Sequence, residues 1–264
     1  MNISDLNSLL KVAESAANAA GEVIRPYFRS SIAADIKSDD SPVTQADRES
    51  EKTIRTILQQ ATPDFGIIGE EYGKDQNNSD YQWVIDPIDG TRAFITGRPI
   101  FGVLIALLYK GQPVLGIIDQ PIMRERWIGC KGSPSRFSSP FGGKIGTRLC
   151  PDLSYAEASC TSPEMMLQSA PHDGWKKLHH AVKRITWGGD CYAYGLLALG
   201  QIDVIVECDL KIWDWAALVP IIEGAGGCIT DWQGNALTHK SEGLVLAVGD
   251  PNRHQDALNL LNNC

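Results

Sequence analysis

The stretch WVIDPIDGTRAFITGRP, residues 83 to 99, places two carboxylates three residues apart at the end of an apolar run. The proline after Asp86 keeps this aspartate out of the α-region, so its side chain is expected to project from the carboxyl end of a strand into a crevice. Asp89 follows in the turn, where Gly90 permits a tight turn or a close backbone approach. The stretch therefore predicts a strand that ends in an acidic turn.

The two aspartates need a cation. Carboxylates this close repel each other, and Arg92 is the one balancing cation in the short motif from Asp86 to Arg92. A divalent metal ion would lower the pKa of both carboxyl groups at once, and hard oxygen ligands without histidine favour Mg²⁺. A solvated, aspartate-rich turn is the alternative that these residues alone leave open.

Composition and charge exclude several classes of protein. The chain has 264 residues, 43% of them apolar, which suits one large core or two fused subdomains. The net charge is −8 and no basic run exceeds two residues, which argues against nucleic acid or an anionic membrane as partner. No stretch reaches the roughly 20 apolar residues of a membrane span, and the N-terminus lacks a signal-peptide pattern. We expect a soluble, cytoplasmic protein whose seven scattered cysteines are buried free thiols.

Hydrophobic periodicity in the first half predicts two helices and then strands. Apolar residues between 5 and 29 lie on one helical stripe. After a loop, Thr44 is a plausible N-cap of a second helix, with Asp47 three residues later. From residue 81 to 129 the pattern changes to β, with a hairpin turn at residues 110 to 113.

The second half alternates between strands and helices, which favours a layered α/β architecture. Residues 131 to 148 are rich in Gly, Ser and Pro and predict a surface loop. We place a subdomain boundary there, between residues 1 to 145 and 146 to 264. The segment WDWAALVPIIEGAGG, residues 213 to 227, is interpreted as one helix. His179 and His180 are interpreted as surface residues, because adjacent residues do not share a helix face.

Other acids lie far away in the sequence. Glu70 follows the strand-like run FGII, Asp47 occupies the first turn of a helix, and Asp214 stands between two tryptophans. A carboxylate between tryptophans costs free energy unless a partner neutralises it. Each acid also has a purely structural explanation: Asp47 complements a helix dipole, Asp214 caps a helix, and Glu70 is exposed.

Taken together, these segments resemble the inositol monophosphatase superfamily of magnesium-dependent phosphatases in their order and approximate spacing. The similar segments are SPVTQAD (41 to 47), GEE (69 to 71), DPIDGT (86 to 91) and WDWAALVPIIEGAGG (213 to 227). More narrowly, GTRAFITGRPIFG, GIIDQPIMRERWIG and WGGDCYAYGLLALG resemble the histidinol-phosphatase branch. At residues 90 to 94 the pattern that resembles inositol monophosphatases would be Gly-Thr-Thr-Asn-Phe. This chain departs from that pattern at Arg92 and Ala93.

The resemblance implies a five-layered αβαβα fold, a homodimer and a site for two or three Mg²⁺ ions. Carried over by motif, the first ion is held by Glu70, Asp86 and the carbonyl of Ile88, the second by Asp86, Asp89 and Asp214, and the third, looser ion lies near Asp47.

The resemblance also implies a mechanism. Phosphate bridges the ions and rests on the amides of Gly90 and Thr91. Thr91, hydrogen-bonded to Asp47, orients and deprotonates a metal-activated water with Glu70 assisting.

The resemblance further implies substrate contacts. Glu207 lies seven residues before Asp214, the interval at which the superfamily carries a glutamate that contacts the alcohol. Asp190 lies where substrate contacts are also made, and Arg184 is a candidate for the rim, on the phosphate or from the neighbouring subunit. Two acids suit a cationic amine and imidazole, so the expected substrate is L-histidinol phosphate, a small phosphate monoester.

Several alternatives stay open. Within the superfamily, an inositol monophosphatase or another sugar-alcohol phosphatase is the main competitor. A haloacid-dehalogenase phosphatase is disfavoured because its two aspartates are two residues apart. An inactive metal- or phosphate-binding relative is the alternative outside enzymes.

Overall fold

The computed structural model describes residues 3 to 30, 35 to 36, 42 to 75 and 79 to 262. Cys264 and residues 38 to 41 of the predicted loop before Thr44 lie outside this part of the chain. Within it, no helix is long and apolar enough to cross a membrane.

The described helices alternate with strands in the second half of the chain. The α-helices are α1 (Ile3–Ile24), α2 (Gln45–Ala61), α3 (Thr91–Ile95), α4 (Pro163–Ser169), α5 (Gly174–Ala181), α6 (Asp190–Leu197), α7 (Ile212–Trp215), α8 (Leu218–Gly224) and α9 (His254–Asn262). Short 3-10 helices lie at Arg25–Tyr27, Leu153–Tyr155 and Pro251–Arg253.

The described strands form three sheets. They are β1 (Asp35–Ile36), β2 (Pro42–Val43), β3 (Gly66–Gly69), β4 (Gly73–Lys74), β5 (Tyr81–Asp89), β6 (Gly102–Tyr109), β7 (Gln112–Gln120), β8 (Glu125–Cys130), β9 (Arg136–Ser138), β10 (Glu157–Cys160), β11 (Arg184–Trp187), β12 (Val204–Glu207), β13 (Cys228–Thr230) and β14 (Val245–Val248).

Two large sheets set the architecture. The first has the order β4-β3-β5-β6-β7-β8-β9 and is antiparallel except for the β3–β5 pair. The second has the order β11-β10-β12-β14-β13, with β10 parallel to both of its neighbours. All strands of the first sheet precede those of the second in the chain. The proposed division into subdomains at residue 145 stays a prediction.

Three apolar cores hold the layers together and confirm the predicted αβαβα fold. The first core joins α1 and α2 to the outer face of the seven-stranded sheet. The second lies between the two sheets and contains α6, α7 and α8. The third joins α5 and α9 to the far face of the five-stranded sheet. The layer order is therefore helices, sheet, helices, sheet, helices.

A bulge at the end of β5 gives the acidic turn its geometry. Asp86 pairs with Leu104 of β6, but Asp89 pairs with Gly102, so three steps on β5 face two steps on β6. Side chains three apart on a regular strand point to opposite faces, and one inserted residue turns both to the same face. The odd spacing of the two aspartates is thus compatible with one site only because the strand is irregular there.

The predicted start of α2 is confirmed. The Thr44 hydroxyl accepts from the amides of Ala46 and Asp47, while the Asp47 carboxylate accepts from the Thr44 amide, which completes a capping box. Both residues are fully buried. This cap therefore lies inside the protein, facing the acidic turn rather than solvent.

The prediction of a single helix at residues 213 to 227 is wrong. The structure has two short helices, α7 and α8, because Pro220 has no N–H to donate to the carbonyl of Ala216 and disfavours regular helix before it. Helix α4 was not predicted, although Ser162 and Pro163 form a recognisable start: the Ser162 hydroxyl accepts from the amides of Glu164 and Met165.

The predicted turn at residues 110 to 113 is confirmed, with β7 beginning at Gln112. Among the cysteines of the described chain, four are buried, whereas Cys130 and Cys228 are only partly buried, and all six are free thiols.

The interpretation of His179 as a surface residue is wrong. Its ring lies edge-on to Trp175 at 4.9 Å and to Trp187 at 5.3 Å between centroids. Burial lowers the pKa of His179 to about 4, with the nearby His180 adding to the effect. His180 itself is exposed, as expected, and its Nδ1 contacts the carbonyl of Lys176.

His179 should make the protein sensitive to mild acid. Between pH 6.5 and about 4 the unfolded chain binds a proton at His179 that the folded protein does not, so stability is full above this window and is lost as the pH falls through it. Between pH 7 and pH 5 the melting temperature of His179→Gln should therefore fall by ~3 °C less than that of the wild type. The control is His180→Gln, measured by calorimetry; equal pH slopes in both variants would contradict this role of His179.

Candidate metal-dependent phosphatase site

A cavity of about 200 Å³ lies where the two sheets and the central helices meet. Its lining is rich in acids: Glu70, Asp86, Ile88, Asp89, Gly90, Thr91, Thr161, Met165, Asp190, Cys191, Tyr194, Glu207, Asp209, Leu210 and Asp214. A larger cleft of about 670 Å³ runs along α1 and β7, but there Arg126 already pairs with Asp119 at 2.7 Å. Size alone therefore does not identify the site, whereas the concentration of acids does.

Three carboxylates form the centre of the cavity. One oxygen from each of Asp86, Asp89 and Asp214 lies within 4.8 Å of the others. Burial raises the pKa of Asp86 well above its usual value, and the charges of Glu70, Asp89 and Asp214 add to the rise. Burial, then the charges of Asp190 and Asp214, does the same for the pKa of Asp89. The folded chain thus holds three acidic groups together, and no Lys or Arg side chain of the described residues pairs with them.

Hydrogen bonds from the backbone orient these acids. The amide of Ile88 donates to Asp86 at 2.9 Å, the amide of Cys191 to Asp89 at 2.5 Å, and the amide of Lys211 to Asp214 at 2.7 Å. Burial raises the pKa of Asp214 to about 7 despite the Lys211 bond. Each donor comes from a different element, so the cluster exists only when β5, α6 and α7 are in place.

Glu70 enters the cavity from the turn after β3. Its amide donates to the carbonyl of Ile85 at 3.2 Å. The next two amides, of Glu71 and Tyr72, donate to the carboxylate of Glu51 on α2, at 2.7 and 3.2 Å. Glu51 is fully buried and also pairs with Arg55 at 2.7 Å. Glu51, which the sequence analysis did not single out, therefore fixes the turn that presents Glu70.

Helix α2 also supplies Asp47. Its Oδ2 accepts from the amide and the hydroxyl of Thr44, at 2.8 and 2.5 Å, which leaves Oδ1 directed at the Thr91 hydroxyl, 3.3 Å away. The Thr91 hydroxyl also lies 3.1 Å from the carbonyl of Ile88. Burial raises the pKa of Asp47 against the lowering effect of the Thr44 bonds.

Gly90 is required by geometry. Its φ is +87°, and a Cβ there would lie 2.9 Å from Oδ2 of Asp190. A larger residue would be strained and would also displace Asp190 from the cavity. Burial raises the pKa of Asp190 to about 6, while the charges of Arg98 and then Arg92 oppose the rise. Arg92 itself is exposed.

Glu207 closes the wall of the cavity near Asp190. Its two oxygens accept from the amide of Thr161 at 2.7 Å and from the hydroxyl of Tyr194 at 2.9 Å. Burial raises the pKa of Glu207 to about 7, although both donors act to lower it. The carboxylate is thus held ready to ionise when a cation approaches.

The structure brings all but two of the predicted residues to this lining. Asp47 lies behind Thr91, one hydrogen bond away from the cavity. Arg184 does not line the cavity of its own chain: its guanidinium is exposed and pairs with Glu157. Six further residues line the cavity and were not predicted: Thr161, Met165, Cys191, Tyr194, Asp209 and Leu210. The cap of α4 at Ser162 was the signal that could have located the first two.

The donor set fits Mg²⁺. The central groups are all carboxylate oxygens, and no histidine belongs to the lining within the described residues. Burial and the charge of Asp89 raise the pKa of the Cys191 thiol, so it stays neutral and is a poor ligand for a softer metal. A hard divalent cation would relieve the mutual repulsion of the acids.

Comparison with known proteins identifies this arrangement. The sequence profile of the inositol monophosphatase family matches residues 5 to 263. The chain belongs to the inositol monophosphatase family. Members of this family are phosphatases that use Mg²⁺.

Two curated relatives and one solved structure illustrate the similarity. The chain is 46% identical to the "Bifunctional phosphatase IMPL2, chloroplastic" of Arabidopsis thaliana, over 98% of this chain and 76% of that protein. It is 36% identical to a histidinol-phosphatase of Chlorobaculum parvum, over 92% of each chain. An inositol monophosphatase structure from Zymomonas mobilis is 45% identical, with a TM-score of 0.87 over 97% of this chain and 98% of that one.

Asp86→Asn should stabilise the metal-free protein while abolishing activity. Asparagine keeps the oxygen that accepts from Ile88 but removes an ionisable group whose charged form is disfavoured among neighbouring acids. With a chelator present, we expect the melting temperature to rise by ~3 °C or more. Added Mg²⁺ should raise the wild-type melting temperature and raise that of the variant less.

The control for this prediction is Asp80→Asn, which removes the same charge from an exposed aspartate that faces Lys110 at 3.8 Å. It should leave the metal-free melting temperature and the Mg²⁺ response near the wild-type values. A metal-free Asp86→Asn protein less stable than the wild type would show that the acids do not repel as described.

Glu51→Gln should raise the Mg²⁺ requirement, although Glu51 lies outside the cavity lining. The glutamine amide cannot accept all the donors that Glu51 serves, so the turn presenting Glu70 should loosen, at a cost of ~1–3 kcal/mol in stability. The Mg²⁺ concentration for half-maximal phosphatase activity should rise several-fold. Glu49→Gln, on the exposed side of the same helix, is the control, and an equal Mg²⁺ requirement in both variants would refute the positioning role.

Proposed function

We propose that this phosphatase hydrolyses L-histidinol phosphate to L-histidinol and phosphate by attack of a metal-activated water. The observation that carries the proposal is the pair of carboxylates, Asp190 and Glu207, on the cavity wall beside the metal-binding acids. Glu207 is buried and Asp190 is partly buried, and their negative charge would favour an ammonium or imidazolium group on the leaving alcohol over a neutral polyol. The 36% identity to a histidinol-phosphatase agrees with this choice.

The metal ligands are proposed by motif. Glu70, Asp86 and the carbonyl of Ile88 would hold one ion, Asp86, Asp89 and Asp214 a second, and Asp47 would lie near a third. Bound Mg²⁺ supplies charge neutralisation for the phosphate and lowers the pKa of a coordinated water. The backbone at Gly90 and Thr91 lines the same cavity, where it would receive phosphate oxygens.

The chain's own groups manage the proton. The Thr91 hydroxyl donates to Oδ1 of Asp47, so its oxygen is free to accept a hydrogen bond from the attacking water. As the water is deprotonated, its proton passes to the Thr91 oxygen and the Thr91 proton passes to Asp47. Because burial raises the pKa of Asp47, that carboxylate is a better proton acceptor than an exposed aspartate. Glu70, which lines the same cavity, would assist.

Arg184 takes part only if two chains assemble. Arg184 lies on the exposed edge strand β11, and its guanidinium pairs with Glu157 of β10, away from the cavity of its own chain. We propose that a homodimer brings it to the rim of the neighbouring subunit's cavity. The homodimer and the cytoplasmic location both stay predictions.

Inositol monophosphatase is the second candidate, because the Zymomonas mobilis structure, 45% identical, is described as an inositol monophosphatase. The relative from Arabidopsis thaliana, at 46% identity, is named bifunctional. A neutral polyol as the preferred leaving group would require Asp190 and Glu207 to act as hydrogen-bond acceptors only.

The deciding experiment compares phosphate release from L-histidinol phosphate and from inositol 1-phosphate, each with Mg²⁺ and with a chelator. We expect kcat/KM to be at least tenfold higher for L-histidinol phosphate, and activity to vanish with the chelator. Preference for the inositol ester would replace the substrate and leave the mechanism in place. Turnover that survives chelation would overturn the mechanism.

A further inference from the structure

Asp209 belongs to the cavity but has no role in the proposed chemistry. It lies two residues after Glu207, beyond the end of β12, and lines the same cavity. Among the acids of this lining in the described chain, it is the only one that is exposed. It therefore stands at the mouth, whereas the other acids lie deeper.

The backbone at Asp209 adopts a conformation that favours glycine. Its φ is +61°, in the left-handed region where most residues with a side chain are strained. The following amide, of Leu210, donates to the carbonyl of Gly243 at 3.1 Å. A Cβ on Gly243 would lie 1.9 Å from the Leu210 carbonyl oxygen, so the two segments pack closely and fix the turn. The carboxylate is thus held in place by a backbone that would accept glycine at lower cost.

Asp209 already binds an alkylammonium group. The Lys211 ammonium lies 2.7 Å from Oδ1, and the Ser169 hydroxyl at the end of α4 donates to Oδ2 at 3.4 Å. The side chains of Asp209 and Lys211 are both about half exposed, at 52% and 55%. An ion pair this open to water contributes little to stability, so a ligand cation can share or replace the lysine.

Asp190 and Glu207 favour a cation through their charge, but they are less open to direct contact with it. Asp190 faces the charges of Arg98 and Arg92. Glu207 is buried and both of its oxygens are occupied by donors of the chain. Asp209 is paired with the Lys211 ammonium, and both side chains are half exposed, so this is the wall carboxylate most open to a substrate cation.

We propose that Asp209 forms a cation-binding subsite at the cavity mouth that selects phosphate monoesters whose alcohol carries an ammonium or imidazolium group. This inference rests on the proposed phosphatase activity. It assigns the part of the cavity that the charged end of the leaving group occupies: the mouth, beside Asp209 and the Ser169 end of α4. Lys211 holds the subsite when no substrate is bound and competes with the incoming cation.

The test is the ratio of kcat/KM for L-histidinol phosphate to kcat/KM for inositol 1-phosphate. Asp209→Asn tolerates the left-handed backbone and keeps an acceptor for Ser169, and it should lower the ratio about tenfold, mainly through KM for the charged ester. Asp209→Gly should lower the ratio equally with an unchanged or higher melting temperature, which separates loss of the carboxylate from loss of folding. Lys211→Gln should raise the ratio, because it removes the competing ammonium.

A matched pair of small esters separates this inference from the substrate proposal. O-phosphoethanolamine and 2-hydroxyethyl phosphate differ only in an ammonium against a hydroxyl group. If L-histidinol phosphate is not the substrate, the wild type should still prefer the ammonium ester, and Asp209→Asn should lose that preference. Asp80→Asn, with the same charge change far from the cavity, should change neither ratio.

Two results would overturn the subsite. One is a ratio for either pair of esters that is the same in Asp209→Asn as in the wild type. The other is a wild-type enzyme that turns over the hydroxyl ester as well as or better than the ammonium ester. In either case Asp209 would serve only to join the end of α4 to the turn after β12.

Discussion

The site depends on carboxylates that the fold holds together against their mutual repulsion. Asp86, Asp89 and Asp214 are held within a few ångströms of one another by backbone amides, and in the described part of the chain no basic side chain pairs with them. Burial and neighbouring charge raise the pKa of each, so the folded protein stores an unfavourable interaction that a divalent cation relieves. The site is consequently a weak point of the fold and the origin of its chemistry.

The surrounding layers oppose this repulsion. A fully buried helix start on α2 directs Asp47 at Thr91, and one turn later on the same face Glu51 binds the amides that follow Glu70. Two supports of the site, the contact of Asp47 with Thr91 and the turn that carries Glu70, thus rest on one helix that is anchored by an apolar core against the seven-stranded sheet. Rigid placement of this kind is what electrostatic catalysis requires, because the charges must not reorganise during the reaction.

Substrate choice has a different physical basis from the chemistry. The acids proposed to bind metal would serve the hydrolysis of any phosphate monoester, whereas Asp190, Glu207 and Asp209 lie on the wall that the alcohol would contact. In the proposed function, the balance between these acids and the arginines near Asp190 would set which charge is tolerated on the leaving group. Changes at the end of α4 or in the turn after β12 would then alter specificity and leave Asp86, Asp89 and Asp214 in place.

The sequence by itself determined the elements with strong local signals: the capping box at Thr44, the hairpin after β6, the strand that ends at the acidic turn, and the acids whose order resembles a phosphatase family. Tertiary structure alone decided that the strand bulges so that Asp86 and Asp89 share a face, that Glu51 supports Glu70, and that His179 lies between tryptophans. These features depend on contacts between residues distant in the chain, and local propensity and periodicity carry no information about which distant groups will meet.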